Sequence, residues 1–123
     1  MVKIVTKGDI MDFNEYQKQA KTTLIKKNQP KELLIARLVL GLCGESGEVA
    51  EKVKKYLRDT SLDAVDIYAL SEALYKELGD VLWYISNLAD ILGIDLNRIA
   101  KENIKKLASR KERGKIKGSG DLR

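Results

Sequence analysis

Two segments of the chain repeat one apolar stripe at helical spacing, and this repeat is the strongest constraint on the fold. At about 100° per residue, one glutamate falls within each stripe. The first stripe consists of Leu38, Leu42, Glu45, Val49, Val53 and Tyr56. The second consists of Leu70, Leu74, Glu77, Val81, Ile85 and Leu88, each 32 positions after its counterpart. The repeat predicts two long, equivalent helices that pack antiparallel about a local pseudo-twofold axis.

The remainder of the chain also has a helical pattern, because no run of β-branched residues bounded by turn signals follows residue 8. We therefore predict an all-α, four-helix, bundle-like fold. The first helix is expected to begin at an Asp12 N-cap and to end near "KNQP". The second is expected to run from about Pro30 to about Leu57.

The third and fourth helices are bounded by recognisable start and stop signals. Gly93 is expected to end the third helix in a left-handed conformation. The expected ranges are about Leu62 or Asp66 to Leu92, and an Asp95 N-cap to about Arg113. The faces expected to be buried contain Phe13, Tyr16, Ala20 and Leu24 in the first helix and Leu96, Ile99, Ala100 and Leu107 in the fourth.

A chain of 123 residues with 44% hydrophobic residues is sized for one domain with its own core. We expect a single domain over residues 1–123, with a flexible, basic, glycine-containing tail from about residue 114. The net charge of +5 is concentrated after residue 100. A basic segment of this kind is typical of a solvated helix end, of a site for nucleotide phosphates or of a nucleic-acid contact.

The two stripes share the local pattern Glu-x-Gly-acid-Val, so a second acid flanks each stripe. Antiparallel packing would bring together four carboxylates, those of Glu45, Glu48, Glu77 and Asp80. Carboxylates in an apolar stripe need cations to remain ionised. Salt bridges to lysines would supply them, but Lys54 and Lys55 fall on the opposite face of the helical wheel.

A metal ion is the other source of positive charge. The chain has no histidine and a single cysteine, so any metal site has to be built from carboxylates. Ligation by carboxylates alone suits a hard cation, Mg²⁺ or its substitute Mn²⁺. Di-iron bundles usually use Glu-x-x-His motifs, which this chain cannot supply.

Gly47 and Gly79 occupy matching positions inside these two helices. Each is expected to cost about 1 kcal/mol relative to alanine in a helix interior. Close approach of the helices is one explanation, and room for a ligand is the other.

The paired motif Glu45-x-x-Glu48 and Glu77-x-x-Asp80 resembles the ExxE…ExxD signature of the all-α nucleoside triphosphate pyrophosphohydrolases. That superfamily includes MazG-type enzymes, dimeric dUTPases and phosphoribosyl-ATP pyrophosphohydrolase. The chain is most similar to short, single-domain MazG-like proteins. The flanking segments that share the resemblance are "FNEYQKQAKTT", "GLCGESGEVAE", "KELGDVLWYISNLADILGIDL", "NIKKLASRKERG" and the closing "KGSGD.R".

The resemblance implies Mg²⁺-dependent hydrolysis of a nucleoside triphosphate, with ribose or deoxyribose, between the α and β phosphorus atoms. The products are the monophosphate and pyrophosphate, and the four acids hold the metal. Phosphoryl-type transfer relies on positioning and on neutralisation of developing charge, which such a site supplies. Glu45 or Glu48 is the expected residue that orients or deprotonates the attacking water. The implied role is house-cleaning of the nucleotide pool.

The fourth helix offers cationic and polar groups for a substrate. Asn103 and Arg110 lie within its apolar stripe and Lys106 lies at its edge. In MazG-like enzymes the matching positions contact the phosphates or the sugar, so the resemblance implies substrate binding by these three residues.

Contacts with the rest of the nucleotide are less well defined by the sequence. In the tail, Arg113, Lys117 and Arg123 are expected to close over the triphosphate, in this subunit or a neighbouring one. Gln17 lies in the apolar stripe of the first helix, where it either binds the base or satisfies backbone groups in the core. Trp83 points away from the acids and is better explained by packing.

The pattern also bears on assembly and location. Between Leu33 and Leu42 the second helix is apolar nearly all the way round, which predicts a homodimer or a dimer of dimers. No apolar run approaches the ~20 residues of a membrane span. Cys43 lies within an apolar run and is expected to be a buried free thiol in a reducing, cytoplasmic compartment.

Two other functions fit parts of the sequence. A non-enzymatic helical adaptor could bind nucleic acid through the basic C-terminal segment, but that tail has no aromatic residue to stack on bases, and the four acids would be unexplained. Nucleic acid is therefore not the expected partner. An activity like that of phosphoribosyl-ATP pyrophosphohydrolase is the other alternative, although the ending "RG.IKGSGD.R" favours the MazG-like group.

Overall fold

The computed structural model describes Gly8 and residues 10–121. This part of the chain contains four α-helices and no strand, so the predicted all-α, four-helix fold is confirmed. The helices are α1 (Phe13–Ala20), α2 (Lys31–Asp59), α3 (Ile67–Ile91) and α4 (Leu96–Glu112). Short 3-10 turns at Lys21–Thr23 and Leu62–Ala64 follow α1 and precede α3.

Aspartates begin three of the four helices. The side chains of Asp12, Asp66 and Asp95 accept hydrogen bonds from backbone N–H groups in the first turns of α1, α3 and α4, which satisfies donors that have no partner within the helix. Pro30 directly precedes α2. Gly93 follows α3 with a φ of 71°, as the left-handed stop requires.

α2 and α3 form an antiparallel hairpin and make the most extensive helix contact in the described chain. Near the connecting loop, the Tyr56 hydroxyl accepts a hydrogen bond from the Asp66 N–H and donates one to the Asp66 carbonyl. At the other end of the pair, Gly41 lies against the Tyr84 ring. The second predicted stripe is confirmed over Ile67–Val81, where the residues at least partly shielded from solvent are Leu70, Leu74, Glu77 and Val81. In the rest of α3 the buried residues are Ser86, Asn87 and Ala89, which lie outside the stripe.

α1 packs on α3 and α4, and one buried amide on α1 bonds to both sides of the turn between them. The Gln17 Nε2 atom donates to the Ile94 carbonyl at 2.9 Å and to the Ser86 carbonyl at 3.4 Å. Its Oε1 atom accepts from the Leu96 N–H at 3.0 Å. The amide therefore fastens α1 to the turn between α3 and α4, where the backbone would otherwise have unpaired groups.

The core of a single chain is small, and several residues expected to be buried are not. Phe13 is 43% exposed, Ile99 38% and Leu107 41%, and the Cys43 thiol is also exposed. These burial predictions were wrong because no other element of the described chain fully covers these parts of α1, α2 and α4. The buried apolar residues are Ala20, Leu34, Leu38, Ala89 and Leu96.

Candidate active site

α2 and α3 bring three of the four predicted acids together. Glu45, Glu48 and Glu77 each offer a carboxylate oxygen within 4.8 Å of the others. Glu45 and Glu48 are neighbours on one face of α2 because residues three apart are nearly one turn apart, and the antiparallel pairing places Glu77 opposite them. Oxygen ligands about 2.1 Å from Mg²⁺ lie about 3 to 4 Å apart, so small side-chain rotations suffice. The donor set fits a hard divalent cation.

Like charges dominate the electrostatics of this group. Partial desolvation, followed by the charges of Asp80, Glu48 and Glu77, raises the pKa of Glu45 above its ordinary value of 4.5. Asp80 lies outside the group of three, but its charge is close enough to contribute to this shift. Burial and then the Asp80 charge also raise the pKa of Tyr16, so α1 approaches the acids as well. The site therefore has an excess of negative charge that a cation would neutralise.

The acids line the rim of the helix pair rather than its interior. Glu45 and Glu77 are partly shielded, while Glu48 and Asp80 are exposed. This agrees with the helical wheel, which places Glu48 and Asp80 on the flank of each stripe rather than within it.

Lys52 supplies a cation that the sequence reasoning missed. Its Nζ atom donates to Glu77 Oε1 at 2.5 Å and to the Ala73 carbonyl at 3.3 Å. Lys54 and Lys55 instead pair with Glu51, away from the acids, as the helical wheel predicted. The missed signal was spacing, because Lys52 lies seven residues, or two helical turns, after Glu45 on the same side of α2.

The two glycines in the acidic motifs do not mediate close helix packing. A Cβ atom added at Gly47 or at Gly79 would have no atom of another helix within 4 Å, so the close-approach explanation is wrong within the described chain. The close contact is made at Gly41, where a Cβ would overlap the Cε1 and Cζ atoms of Tyr84. Both glycines of the motif border open space next to the acids.

On α4, two of the predicted substrate-binding cations converge on one carboxylate. Arg110 Nη2 donates to Asp121 Oδ1 at 3.3 Å, and Lys106 Nζ lies 3.5 Å from the same oxygen. Arg110 is 4% exposed, and its Nε atom has no hydrogen-bond partner within the described residues. The two cations lower the pKa of Asp121. The tail thus turns back along α4, and an anionic group lies between Lys106 and Arg110.

The remaining predicted phosphate and sugar contacts are at the surface of the single chain. Asn103 is exposed, which contradicts the buried position expected from its stripe, and Lys117 is exposed. Arg113 Nε donates to Ser109 Oγ at 3.2 Å. Arg123 lies outside the described residues.

The two candidates for base recognition both have structural partners. The hydrogen bonds of Gln17 to backbone groups account for its buried amide, which favours the core alternative. Trp83 Nε1 donates to Thr23 Oγ1 at 2.7 Å, and its ring makes an edge contact with Tyr84. Packing explains Trp83 without a substrate.

A cavity at the N-terminal end of α1 was not anticipated. Its volume is about 370 Å³, which is large enough for a planar ring system. Two aromatic rings and an amide lie in its wall, and its lining residues are Met11, Asp12, Phe13, Tyr16, Leu82 and Asn97. The sequence assigned Phe13 and Tyr16 to the core and offered no signal for Asn97, because these residues meet only after α1 packs on α3 and α4.

The fold and site define an all-α protein with a carboxylate cluster suited to a divalent cation. A family model of the MazG nucleotide pyrophosphohydrolase domain matches residues 35–114, and the chain belongs to this family. The matched region includes both acidic pairs and the α4 cations. The resemblance seen in the sequence is thereby confirmed.

One curated relative has a considerable similarity to the chain. The Gene 37 protein of Mycobacterium phage L5 is 47% identical over 89 residues, a match that covers 72% of this chain and 76% of that protein. No solved structure matches. Within the described residues, no helix combines the length and apolar character needed to cross a membrane.

Proposed function

We propose that this protein is a Mg²⁺-dependent nucleoside triphosphate pyrophosphohydrolase, which converts an NTP or dNTP to the monophosphate and pyrophosphate. The observation that supports this most directly is the group formed by Glu45, Glu48 and Glu77, which lies within the region matched by the MazG family model. The neighbouring charge of Asp80 completes the four-acid motif.

In this proposal the four acids would hold Mg²⁺ or Mn²⁺. When bound, the metal neutralises charge on the triphosphate and activates a water molecule for attack. The reaction would join the water oxygen to the α phosphorus and break the bond from that phosphorus to the α–β bridging oxygen, so that pyrophosphate leaves and a carboxylate of the protein accepts the proton of the water. Glu45, which is partly shielded and lies beside Glu48 and Glu77, is one candidate for the base that accepts the proton of the water. Glu48, one turn away, is the other candidate.

Lys106 and Arg110 would bind the substrate phosphates. Both already hold a carboxylate oxygen of Asp121, which shows that an anion fits between them, and a buried guanidinium is suited to charged oxygen ligands. Asn103, Arg113 and Lys117 would add contacts to the sugar and the phosphate chain once the tail closes over the substrate.

The base would enter the cavity beside Tyr16. Aromatic side chains there could stack on the ring, and Asp12 and Asn97 offer groups for its edge. The charge of Asp80 contributes to the raised pKa of Tyr16, so this side of α1 lies near the acids, as the proposed position of the base requires. Gln17 would hold α1 in position beside this cavity, through the hydrogen bonds of its side chain to backbone groups, and would not contact the base.

Assembly into a homodimer or a dimer of dimers forms part of the proposal. Leu40 on α2 is 71% exposed and Ile104 on α4 is 65% exposed in the single chain, and large apolar surfaces of this kind usually mark interfaces. The proposed role is house-cleaning of the nucleotide pool in the cytoplasm, where the nucleotide substrates and a reducing environment for Cys43 are found.

The test is pyrophosphate release from a panel of canonical and modified NTPs and dNTPs, with Mg²⁺ or with EDTA. Glu45→Gln and Asp80→Asn should lose the activity. Glu51→Gln is the matched control, because Glu51 pairs with Lys54 and Lys55 away from the site, and should keep it. If wild type releases no pyrophosphate from any nucleotide in the presence of Mg²⁺, the proposed reaction is wrong.

A further inference from the structure

The Lys52 ammonium lies against the one acid that α3 contributes to the group of three carboxylates. The Nζ atom is 2.5 Å from Glu77 Oε1, and its second partner is the Ala73 carbonyl at 3.3 Å. The Glu77 side chain is 14% exposed, whereas that of Lys52 is 42% exposed. The shielded partner is thus the carboxylate, and the lysine approaches it from solvent.

This contact has two consequences for a cation at the same site. The ammonium occupies one oxygen of the Glu77 carboxylate, the group that a metal ion would use as a ligand. Its positive charge also opposes that of a divalent ion, since unit charges a few ångströms apart interact appreciably even in water. In the metal-free protein, however, Lys52 offsets part of the repulsion among Glu45, Glu48 and Glu77.

We propose that Lys52 is a built-in counter-cation of the carboxylate cluster, which a divalent metal has to displace from Glu77. It is a positioning residue that acts through Glu77 and sets the affinity of the site for metal. The inference rests on the metal site of the proposed function. The Lys52 side chain is already 42% exposed, so the released ammonium can return its charge to solvent through its long side chain.

The test is direct binding of Mn²⁺, followed by electron paramagnetic resonance, with thermal unfolding measured in EDTA and in excess Mn²⁺. Lys52→Met should bind Mn²⁺ about tenfold more tightly than wild type, the change expected from removing a unit charge roughly 6 Å from a divalent ion in a water-like dielectric. In EDTA the same variant should melt at a lower temperature than wild type. Lys52→Arg should restore the wild-type behaviour in both measurements.

Lys55→Met is the matched control. Lys55 lies three residues after Lys52 and carries the same charge, but it pairs with Glu51 instead of Glu77. Its Mn²⁺ affinity should stay within about twofold of wild type. If Lys52→Met binds Mn²⁺ no more tightly than Lys55→Met, the inference is wrong even when the enzyme is active. A purely structural role would lower the melting temperature with and without metal and leave Mn²⁺ affinity unchanged. If neither wild type nor Lys52→Met binds Mn²⁺, the metal site of the proposed function fails together with this inference.

Discussion

Replacing Glu45 by glutamine is expected to stabilise the metal-free protein while abolishing its response to Mg²⁺. The raised pKa of Glu45 means that the folded protein holds this carboxylate in an unfavourable ionised state. Glutamine has the same shape without the charge, so the repulsion disappears. The same change removes a ligand from the proposed metal site, so stabilisation by Mg²⁺ should be lost.

The magnitude follows from the geometry of the cluster. Two carboxylate charges 4.8 Å apart, the upper limit for this group, repel by about 0.9 kcal/mol in a water-like dielectric. Asp80 and Glu48 each contribute an interaction of this order or less, while Lys52 offsets most of the charge of Glu77. The expected gain is therefore about 1 kcal/mol, or roughly 3 to 6 °C in melting temperature for a domain of this size.

The stability that Glu45→Gln gains over wild type should depend on pH in a defined direction. A folded-state pKa above the unfolded value means that Glu45 contributes most to stability at low pH, and that this contribution is lost as pH rises through the folded pKa. Glu45→Gln should therefore exceed wild type in stability near neutral pH, and the difference should vanish as pH falls to about 4.5 and below, the ordinary pKa range of Glu45.

Thermal unfolding followed by circular dichroism, in EDTA and in excess MgCl₂, measures both effects. Glu51→Gln is the control, because it removes a carboxylate that is favourably paired with lysines and should not stabilise the protein. The reasoning would be refuted if Glu45→Gln were less stable than wild type in EDTA, or if Mg²⁺ raised its melting temperature as much as that of wild type.

Four further substitutions test other parts of the structure. Gly41→Ala should lower the free energy of unfolding, measured in urea, by about 1–3 kcal/mol, because the new Cβ displaces the Tyr84 ring. Gly47→Ala should instead raise the free energy of unfolding by about 0.5–1 kcal/mol. Equal effects of the two substitutions would contradict the assignment of the close contact to Gly41. Gln17→Leu should cost about 2–4 kcal/mol, because it leaves backbone groups at the α3–α4 turn unpaired, and an unchanged urea midpoint would argue against that role. Asp121→Asn should lower KM for the triphosphate with kcat unchanged, because it removes the carboxylate charge that competes with the substrate for Lys106 and Arg110. A raised KM in steady-state kinetics would show that Asp121 assists substrate binding instead.

The family, the four helices and three acids that the fold brings together could be predicted from the sequence. Asp12, Asp66 and Asp95 mark helix starts because an N-cap depends only on the residues of its own first turn. The repeat containing Glu45 and Glu77 predicted the antiparallel pair because helical periodicity assigns each residue a face before any tertiary contact forms.

The tertiary structure alone decided which groups meet across helices. Lys52 reaches Glu77, Gly41 rather than Gly47 provides the close contact, and Gln17 is held by backbone groups from two other helices. A helical wheel gives the direction of a side chain, but not the axial register of the neighbouring helix or the reach of a flexible lysine. Burial likewise depends on how much of each apolar face another element covers, and short α1 leaves Phe13 partly exposed. Local hydrogen bonding and periodicity thus determined the elements and the acids they present, whereas packing between elements determined the partners of those acids.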